Sequence, residues 1–266
     1  CLPPPPGGRV VFVGHRGPDR AALQPHAAIQ EPAALPPDAG SRAVRLRRAQ
    51  AAGGSPGATP AAGFSGGRWG TTPVLFDYDG DGRLDLAVVN YLAFDTERVP
   101  GPGGDCSWKG HPVMCGPEGL IPVHDQLYRG LGGGRFEDVT HAAGFVPLEA
   151  GFGLGAVALD YDADGDTDLF VTNDSTPNHL WENQGDGTFR EVAFARGVRH
   201  DSTGREQACM GIGAGDVDGD GRADLFVSNF SGESNAYYQS RGRGFRERSA
   251  VAGLAGPSMR ALGWGA

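Results

Sequence analysis

The stretch that decides the fold is "FDYDGDGRLDL", which runs from Phe76 to Leu86. It places four aspartates within nine residues of an otherwise apolar segment. Two like unit charges about 4 Å apart repel by roughly 1 kcal/mol in water and by about 4 kcal/mol at an effective dielectric constant of 20. Such a cluster favours a bound cation that offsets the repulsion, with a solvated acidic turn that binds nothing as the alternative.

The aspartate cluster recurs twice further along the chain. The second copy is "LDYDADGDTDLFVTN" (159–173) and the third is "GDVDGDGRADLFVSN" (215–229). All three copies read D-x-D-x-D-G-x-x-D-L, and an Asn follows the last Asp by five residues. We call residues 77–85, 160–168 and 216–224 loops 1, 2 and 3, and number each from its first aspartate, so that the last aspartate is position 9.

A second repeated element follows each loop. In it a Phe precedes a Gly by eight residues, as Phe189 precedes Gly197 in the second copy. The two elements together repeat every 53–56 residues, with a longer interval where an insertion interrupts the first copy. Two elements that recur in register indicate one structural unit used several times.

Each unit predicts four strands. In the second unit these are "AVALD", which enters the loop, "DLFVTN", which leaves it, then "NHLWEN" and "TFREVA". Asp-Gly between the last two apolar runs is a strong hairpin signal. The second strand is apolar on both faces, which is typical of a sheet covered on both sides. The sequence therefore predicts an all-β protein, a β-propeller of four-stranded blades, with a solenoid of sheets as the alternative.

The repeats also set the expected domain organisation. Residues 1–63 are rich in Pro, Ala, Gly and Arg and carry no blade pattern, which favours a disordered leader or tether, although a frame error in this part stays open. Residues 64–266 form the propeller repeats. We expect blades at 64–144, 145–197 and 198–253 and the start of a fourth at 254–266, hence a fragment of a longer ring. "CLPPPPGG" at the start fits either a lipid-anchored mature N-terminus at Cys1 or a fragment end.

Composition excludes several classes of partner. The chain has 266 residues, 45 of them Gly, and a formal net charge of −9. An acidic chain is a poor partner for nucleic acid, whose phosphates require a basic face. No apolar run approaches the 18 or so residues that span a bilayer.

The loops have the oxygen-rich pattern that calcium prefers. Carboxylates at positions 1, 3 and 5 with Gly at position 6 wrap a chain around Ca²⁺, which takes six to eight oxygen ligands. An EF-hand would need Glu at position 12, but Val88, Val171 and Val227 stand there, and the flanking segments read as strands. The last carboxylate comes at position 9 instead.

With these features the chain resembles the integrin-type propeller repeats known as FG-GAP or VCBS repeats. The resemblance implies about three Ca²⁺ sites with carboxylate ligands at positions 1, 3, 5 and 9 and a backbone carbonyl ligand at position 7. Carried onto this sequence, the ligands of loop 1 are Asp77, Asp79, Asp81, Asp85 and the carbonyl of Arg83; those of loop 2 are Asp160, Asp162, Asp164, Asp168 and the carbonyl of Asp166; those of loop 3 are Asp216, Asp218, Asp220, Asp224 and the carbonyl of Arg222. One departure is Ala163 at position 4 of loop 2, where the other loops have Gly.

A finer resemblance covers roughly residues 64–266. "REQACMGIGAGDVDGDGRADLFVSNFSGESN" and "LYRGLGGGRFEDVTHAAGF" are similar to the family of cartilage acidic protein and its bacterial relatives. Many members of that family carry a C-terminal ASPIC/UnbV domain.

The insertion in the first unit contains Cys106 and Cys115, which close a short loop. A disulfide is the preferred interpretation and implies an oxidising compartment. A zinc site with His111 and His124 is the alternative, although the spacing matches no standard finger. Cys209 is expected to be a buried, small apolar residue.

Two functional hypotheses follow. The first is a non-enzymatic, calcium-stabilised propeller segment outside the cytoplasm (secreted, periplasmic or on the cell surface), which binds an unknown protein or glycan as an adhesion or interaction scaffold. The second is the propeller of a secreted enzyme or carbohydrate-binding protein whose site lies outside the repeats. Enzyme signals are weak: "GFSGG" around Ser65 lacks the strand–turn–helix context of a nucleophile elbow, and three like carboxylate sets suit metal better than acid–base catalysis.

We predict that Cys106 and Cys115 are bridged in protein exported through an oxidising compartment. A bridge over about 15 residues contributes roughly 3 kcal/mol in the loop-entropy model, and somewhat less for this shorter loop. Mass mapping of non-reduced peptides should find the two cysteines in one cross-linked pair. Two free thiols, or stoichiometric zinc in a metal analysis, would contradict the bridge.

Overall fold

The fold is described from a computed structural model of the chain. The described residues are 28–29, 46–47, 62–64, 68–93, 106–108, 110–112, 116–117 and 119–265. The predicted leader at 1–63 and the candidate anchor Cys1 fall almost entirely outside them. No helix in the described ranges is long and apolar enough to cross a membrane.

Strands dominate the described chain. In chain order the elements are β1 (Ala28–Ile29), β2 (Leu46–Arg47), β3 (Gly70–Phe76), β4 (Asp85–Asn90), β5 (Ser107–Trp108), β6 (His111–Pro112), β7 (Gln126–Gly132), β8 (Arg135–Asp138), β9 (Gly153–Leu159), β10 (Asp168–Asn173), β11 (His179–Asn183), β12 (Phe189–Glu191), α1 (Ala193–Arg196), β13 (Cys209–Gly215), β14 (Asp224–Asn229), β15 (Ala236–Ser240), β16 (Phe245–Glu247) and α2 (Ala255–Ser258).

Twelve of these strands form three four-stranded antiparallel sheets. The first has the order β3-β4-β7-β8, the second β9-β10-β11-β12 and the third β13-β14-β15-β16. The insertion between β4 and β7 adds only the short β5-β6 hairpin. The predicted all-β class and four-stranded blades are thus confirmed, and the sheets are consistent with consecutive blades of a β-propeller. From residue 248 to residue 265 the chain forms α2 and no further strand, so the fourth blade stays a prediction.

The second strand of the middle sheet, β10, packs on both neighbouring sheets, because successive side chains of a strand point to opposite faces. In β10, Leu169 and Val171 are buried in a core shared with the first sheet, which contributes Leu127 among others. Phe170, between them, is buried in a second core with Leu225 of the third sheet. The unbroken apolar run that the sequence shows in this strand is therefore explained by burial on both sides.

The first strands of the sheets, β3, β9 and β13, lie beside one another. Thr71 Oγ1 donates a hydrogen bond to the carbonyl oxygen of Gly153 at 2.8 Å, which joins β3 to β9. A Cβ at Gly155 would lie 2.7 Å from Thr172 Oγ1 and 3.2 Å from Ile212 Cγ2. Glycine at this position therefore allows β9 to approach β13.

The face of the third sheet that points away from the second sheet is more exposed than the equivalent face of the second sheet. Position 2 of loop 2 is Tyr161, which is 2% exposed, whereas the equivalent Val217 of loop 3 is 69% exposed. Val198, after the turn glycine of the second unit, is fully buried, whereas the equivalent Leu254 is 36% exposed. In the second sheet these positions are covered by the third sheet, and nothing among the described residues covers Val217 in the same way.

This face should make the 266-residue chain associate, because exposed contiguous apolar surface on soluble monomers is usually limited. We expect light scattering to report a mass above that of a monomer, and the double variant Val217→Lys, Leu254→Lys to shift it toward the monomer. The control is Leu148→Lys, which adds a charge at a fully exposed leucine in the connection between β8 and β9, outside the third sheet. A compact monomer of the unsubstituted chain at the same concentration would show that the face needs no partner.

Candidate metal centre

The three aspartate loops connect the first and second strands of the three sheets. Position 9 of each loop is the first residue of the second strand, at Asp85, Asp168 and Asp224. These three side chains are at most 1% exposed. A charged carboxylate is rarely buried without partners, so its contacts decide what the loop can do.

Both oxygens of each position-9 carboxylate accept backbone N–H groups. One oxygen accepts from position 2 of the same loop, and the other accepts from a residue on the third strand. The N···O distances are 3.0 Å from Tyr78 and 2.7 Å from Gly130 to Asp85, 3.2 Å from Tyr161 and 2.8 Å from Asn183 to Asp168, and 3.2 Å from Val217 and 2.7 Å from Ser240 to Asp224. Position 9 thus fastens the loop to the third strand in every sheet.

These hydrogen bonds do not fully compensate the buried charge in the first two loops. Burial raises the pKa of Asp85 to about 6 and that of Asp168 to about 7, although the backbone N–H groups lower both. A carboxylate oxygen has two lone pairs, and one N–H uses only one of them. The position-9 side chains of loops 1 and 2 therefore retain the capacity to bind a cation.

The remaining carboxylates fold the loop onto itself. The position-1 carboxylate accepts the N–H of Gly at position 6, and the position-5 carboxylate accepts the N–H of position 7. The position-1 distances are 2.9 Å for Asp77–Gly82, 3.1 Å for Asp160–Gly165 and 2.9 Å for Asp216–Gly221; the position-5 distances are 2.8 Å for Asp81–Arg83, 2.9 Å for Asp164–Asp166 and 2.9 Å for Asp220–Arg222. These bonds wrap the backbone around the side-chain oxygens.

Three carboxylates converge in each loop, with oxygen atoms within 4.8 Å of one another. The sets are Asp77, Asp79 and Asp85; Asp160, Asp162 and Asp168; and Asp216, Asp218 and Asp220. Of the predicted carboxylate ligands, Asp81, Asp164 and Asp224 lie outside these sets. Asp81 forms an ion pair with Arg83, and Asp220 forms the same pair with Arg222 but stays within its set.

A hard divalent cation fits the donors. Asp77 Oδ1 and Asp162 Oδ1 are buried oxygens without a hydrogen-bond partner in the described structure. Each belongs to one of the convergent sets, and all the ligand atoms offered are oxygens, which suits Ca²⁺.

Comparison with known proteins identifies the repeats. The family model of the FG-GAP-like repeat matches residues 160–227, which contain loops 2 and 3. The chain belongs to the FG-GAP repeat family. The predicted family assignment is confirmed.

Curated relatives share the name cartilage acidic protein 1. The mouse protein is 28% identical over 178 residues (66% of this chain, 23% of the relative), the human protein 27% over 173 residues (64% and 22%), and the Xenopus tropicalis protein 33% over 177 residues (66% and 23%). The FG-GAP chain thus matches less than a quarter of the length of these relatives.

One solved structure that is similar is that of an Agrocybe aegerita lectin that recognises non-reducing terminal N-acetylglucosamine. Its sequence is 15% identical, the match covers 83% of this chain and 61% of the lectin, and the TM-score is 0.28. A TM-score this low does not establish a shared fold.

Positions 4 and 6 of all three FG-GAP loops have left-handed backbone. Gly80 and Gly219 at position 4 have φ of 70° and 77°, and Ala163 at the same position has φ of 62°. Alanine in this region costs roughly 1–2 kcal/mol because its Cβ approaches the following carbonyl oxygen. The departure noted in the sequence is therefore a strained residue in an otherwise regular turn.

The recurring Asn after each loop has a structural role that the sequence did not reveal. Asn90, Asn173 and Asn229 are at most 1% exposed. The side-chain nitrogen of Asn173 donates to the carbonyl oxygen of Pro177 at 2.6 Å, and its backbone N–H donates to Asn178 Oδ1 at 2.9 Å. These bonds hold the connection from the second to the third strand. Asn173 and Asn229 also begin N-x-S sequons, and their burial closes both to glycosylation in the folded chain.

A second feature that the sequence did not reveal is a hydrogen bond that holds the side chain of Tyr161, at position 2 of loop 2. Tyr161 Oη donates to Glu182, which also binds Arg190 at 2.5 Å and Arg196 at 2.6 Å. Burial alone would raise the pKa of Glu182, but the bonds from Tyr161, Arg196 and Arg190 outweigh it and lower the pKa to about 2. Only the spacing along the folded sheet brings these residues together, so no sequence motif marks them.

The insertion contributes no second metal group among the described residues. Among the described residues, the three aspartate sets are the only groups of three or more candidate metal ligands. Neither His111 nor His124 belongs to such a group. Cys115 lies outside the described residues, so its bridge to Cys106 stays a prediction. Cys209 is free and buried in the core of the second and third sheets, as expected.

Replacing Ala163 by Gly should stabilise the chain by about 0.5–1 kcal/mol, because glycine adopts positive φ without the Cβ penalty. The reciprocal control is Gly219→Ala, which should destabilise by about 1 kcal/mol. Nothing lies within 4 Å of a Cβ at Gly219, so its effect reports backbone conformation alone. Urea unfolding measures both. Equal stabilities for Ala163→Gly and the parent chain would contradict strain at this position.

Proposed function

We propose that the chain is a calcium-binding FG-GAP propeller segment of an extracytoplasmic protein, which acts without enzymatic activity as a scaffold for adhesion or protein interaction. The observation that carries this proposal is the recurrence of one carboxylate arrangement in three sheets, each fastened to its third strand by a buried position-9 aspartate. A scaffold repeats its stabilising unit, whereas a catalytic pair is normally built once.

The residues that would hold Ca²⁺ are the position-1, -3, -5 and -9 carboxylates with the backbone carbonyls of Arg83, Asp166 and Arg222. The convergent oxygen sets and the unpartnered Asp77 Oδ1 and Asp162 Oδ1 support this assignment. When bound, the ion supplies positive charge that offsets the mutual repulsion of the aspartates and stabilises the ionised form of the buried ones.

The scaffold role and the extracytoplasmic location rest on the family and on similarity to cartilage acidic protein 1. The net charge of −9 favours cations as ligands and disfavours nucleic acid as a partner. The partner itself is a protein or glycan of unassigned identity, since a propeller fold hosts many functions and does not select among them.

Calcium should stabilise the chain and its removal should destabilise it. We expect the thermal unfolding midpoint to fall in EDTA and to recover when Ca²⁺ is restored in excess. An unchanged midpoint would refute a structural role for calcium.

The informative variant is Asp162→Asn, since Asp162 Oδ1 has no hydrogen-bond partner to lose. It should leave the midpoint in EDTA equal or higher, because one repelling charge is gone, and should reduce the gain on adding Ca²⁺. Glu206→Gln, at an exposed carboxylate outside the loops, removes the same charge and should leave that gain intact. Equal gains in the two variants would exclude loop 2 as a calcium site.

A further inference from the structure

The three loops differ at position 7, where the chain has Arg83, Asp166 and Arg222. In loops 1 and 3 the arginine guanidinium forms an ion pair with the position-5 carboxylate, Asp81 or Asp220. Arg83 Nε also donates to the carbonyl oxygen of Gly130 at 2.9 Å, which ties this side chain to the third strand. Two of the three loops thus contain a cation of their own.

Loop 2 has the opposite charge at this position. The Asp166 carboxylate lies against the hairpin turn after β11, with Oδ2 2.7 Å from the place of a Cβ on Gly185. Loop 2 therefore has five aspartates and no arginine, a formal charge of −5, whereas loops 1 and 3 each have four aspartates and one arginine, a formal charge of −3.

Loop 3 has further internal donors. Gln239 Nε2 donates to Asp218 Oδ2, and Tyr237 Oη donates to Asp224 Oδ2 at 2.9 Å. The equivalent third-strand residue in the first sheet is Arg129, which pairs with Glu137 instead of the loop. Loops 1 and 2 each retain one buried carboxylate oxygen without a partner, and no described carboxylate of loop 3 does.

We propose that position 7 and the side-chain donors of the third strand together set how strongly each loop depends on calcium, with loop 2 binding Ca²⁺ most tightly, loop 1 less tightly and loop 3 most weakly. This inference rests on the proposed function. An arginine that already neutralises position 5 competes with the ion for that ligand, and Ca²⁺ affinity in oxygen-ligand loops is tuned by the charge of the ligand set. Loops 1 and 3 are then partly stabilised by their own arginine, whereas loop 2 relies on the metal.

The experiment is calorimetric titration of the calcium-free 266-residue chain with Ca²⁺. Reciprocal variants exchange the position-7 charge: Asp166→Arg should weaken the tightest class of sites by about tenfold or more, and Arg222→Asp should tighten the weakest class by a similar factor. The control Arg246→Asp makes the same charge change at an exposed residue of β16 and should alter no class. If Asp166→Arg does not fold, as judged by circular dichroism, Asp166→Asn serves with a smaller expected loss.

Assignment of the classes uses position-3 variants. Asp162→Asn should remove the tightest class and Asp218→Asn the weakest. Three classes of equal affinity, or loss of the tightest class in Asp218→Asn, would overturn the ranking while leaving calcium binding intact. Absence of any Ca²⁺ binding heat and of any Ca²⁺-induced change in the unfolding midpoint would instead refute the proposed function on which the ranking depends.

Discussion

The buried position-9 carboxylate is the contact on which each repeat depends. It begins the second strand, closes the aspartate loop through the N–H of position 2 and fastens the loop to the third strand. At the same time it places a negative charge where water cannot reach it, and burial raises the pKa of Asp168 to about 7 even with two N–H donors. The position-9 aspartate therefore both orders the loop and makes a nearby positive charge favourable.

The rest of the loop is arranged around the same space for a positive charge. Carboxylates at positions 1, 3 and 5 surround the same space, and the backbone turns tightly enough to do so only with left-handed residues at positions 4 and 6. The glycine opposite loop 1 has the same origin: a Cβ at Gly130 would lie 2.3 Å from the carbonyl oxygen of Leu84. In the first sheet the loop and the third strand therefore approach so closely that the strand residue must be glycine.

The sequence predicts the repeated features well and the unrepeated ones poorly. Strand order, the loop positions and the burial of both faces of β10 follow from patterns that recur in register, because recurrence filters out accidental matches. The bonds of Glu182 to Tyr161 and Arg196 could not be predicted, since they depend on which long side chains reach across the folded sheet. The sequence could not show whether Asp81 joins the other carboxylates or pairs with Arg83. Spacing places both kinds of partner nearby, and only the folded geometry decides between them.

The polar and apolar links between sheets act together. Asn183, whose N–H binds Asp168, also donates from Nδ2 to the carbonyl oxygen of Tyr78 in loop 1 at 2.8 Å. On the other side, Arg196 donates to the carbonyl oxygen of Arg243 at 3.1 Å and joins the second sheet to the third. These bonds run alongside the two apolar cores, so ordering a loop and packing a sheet face are parts of one nearest-neighbour interaction. Asn183 therefore joins Asp168 of loop 2 directly to the backbone of loop 1.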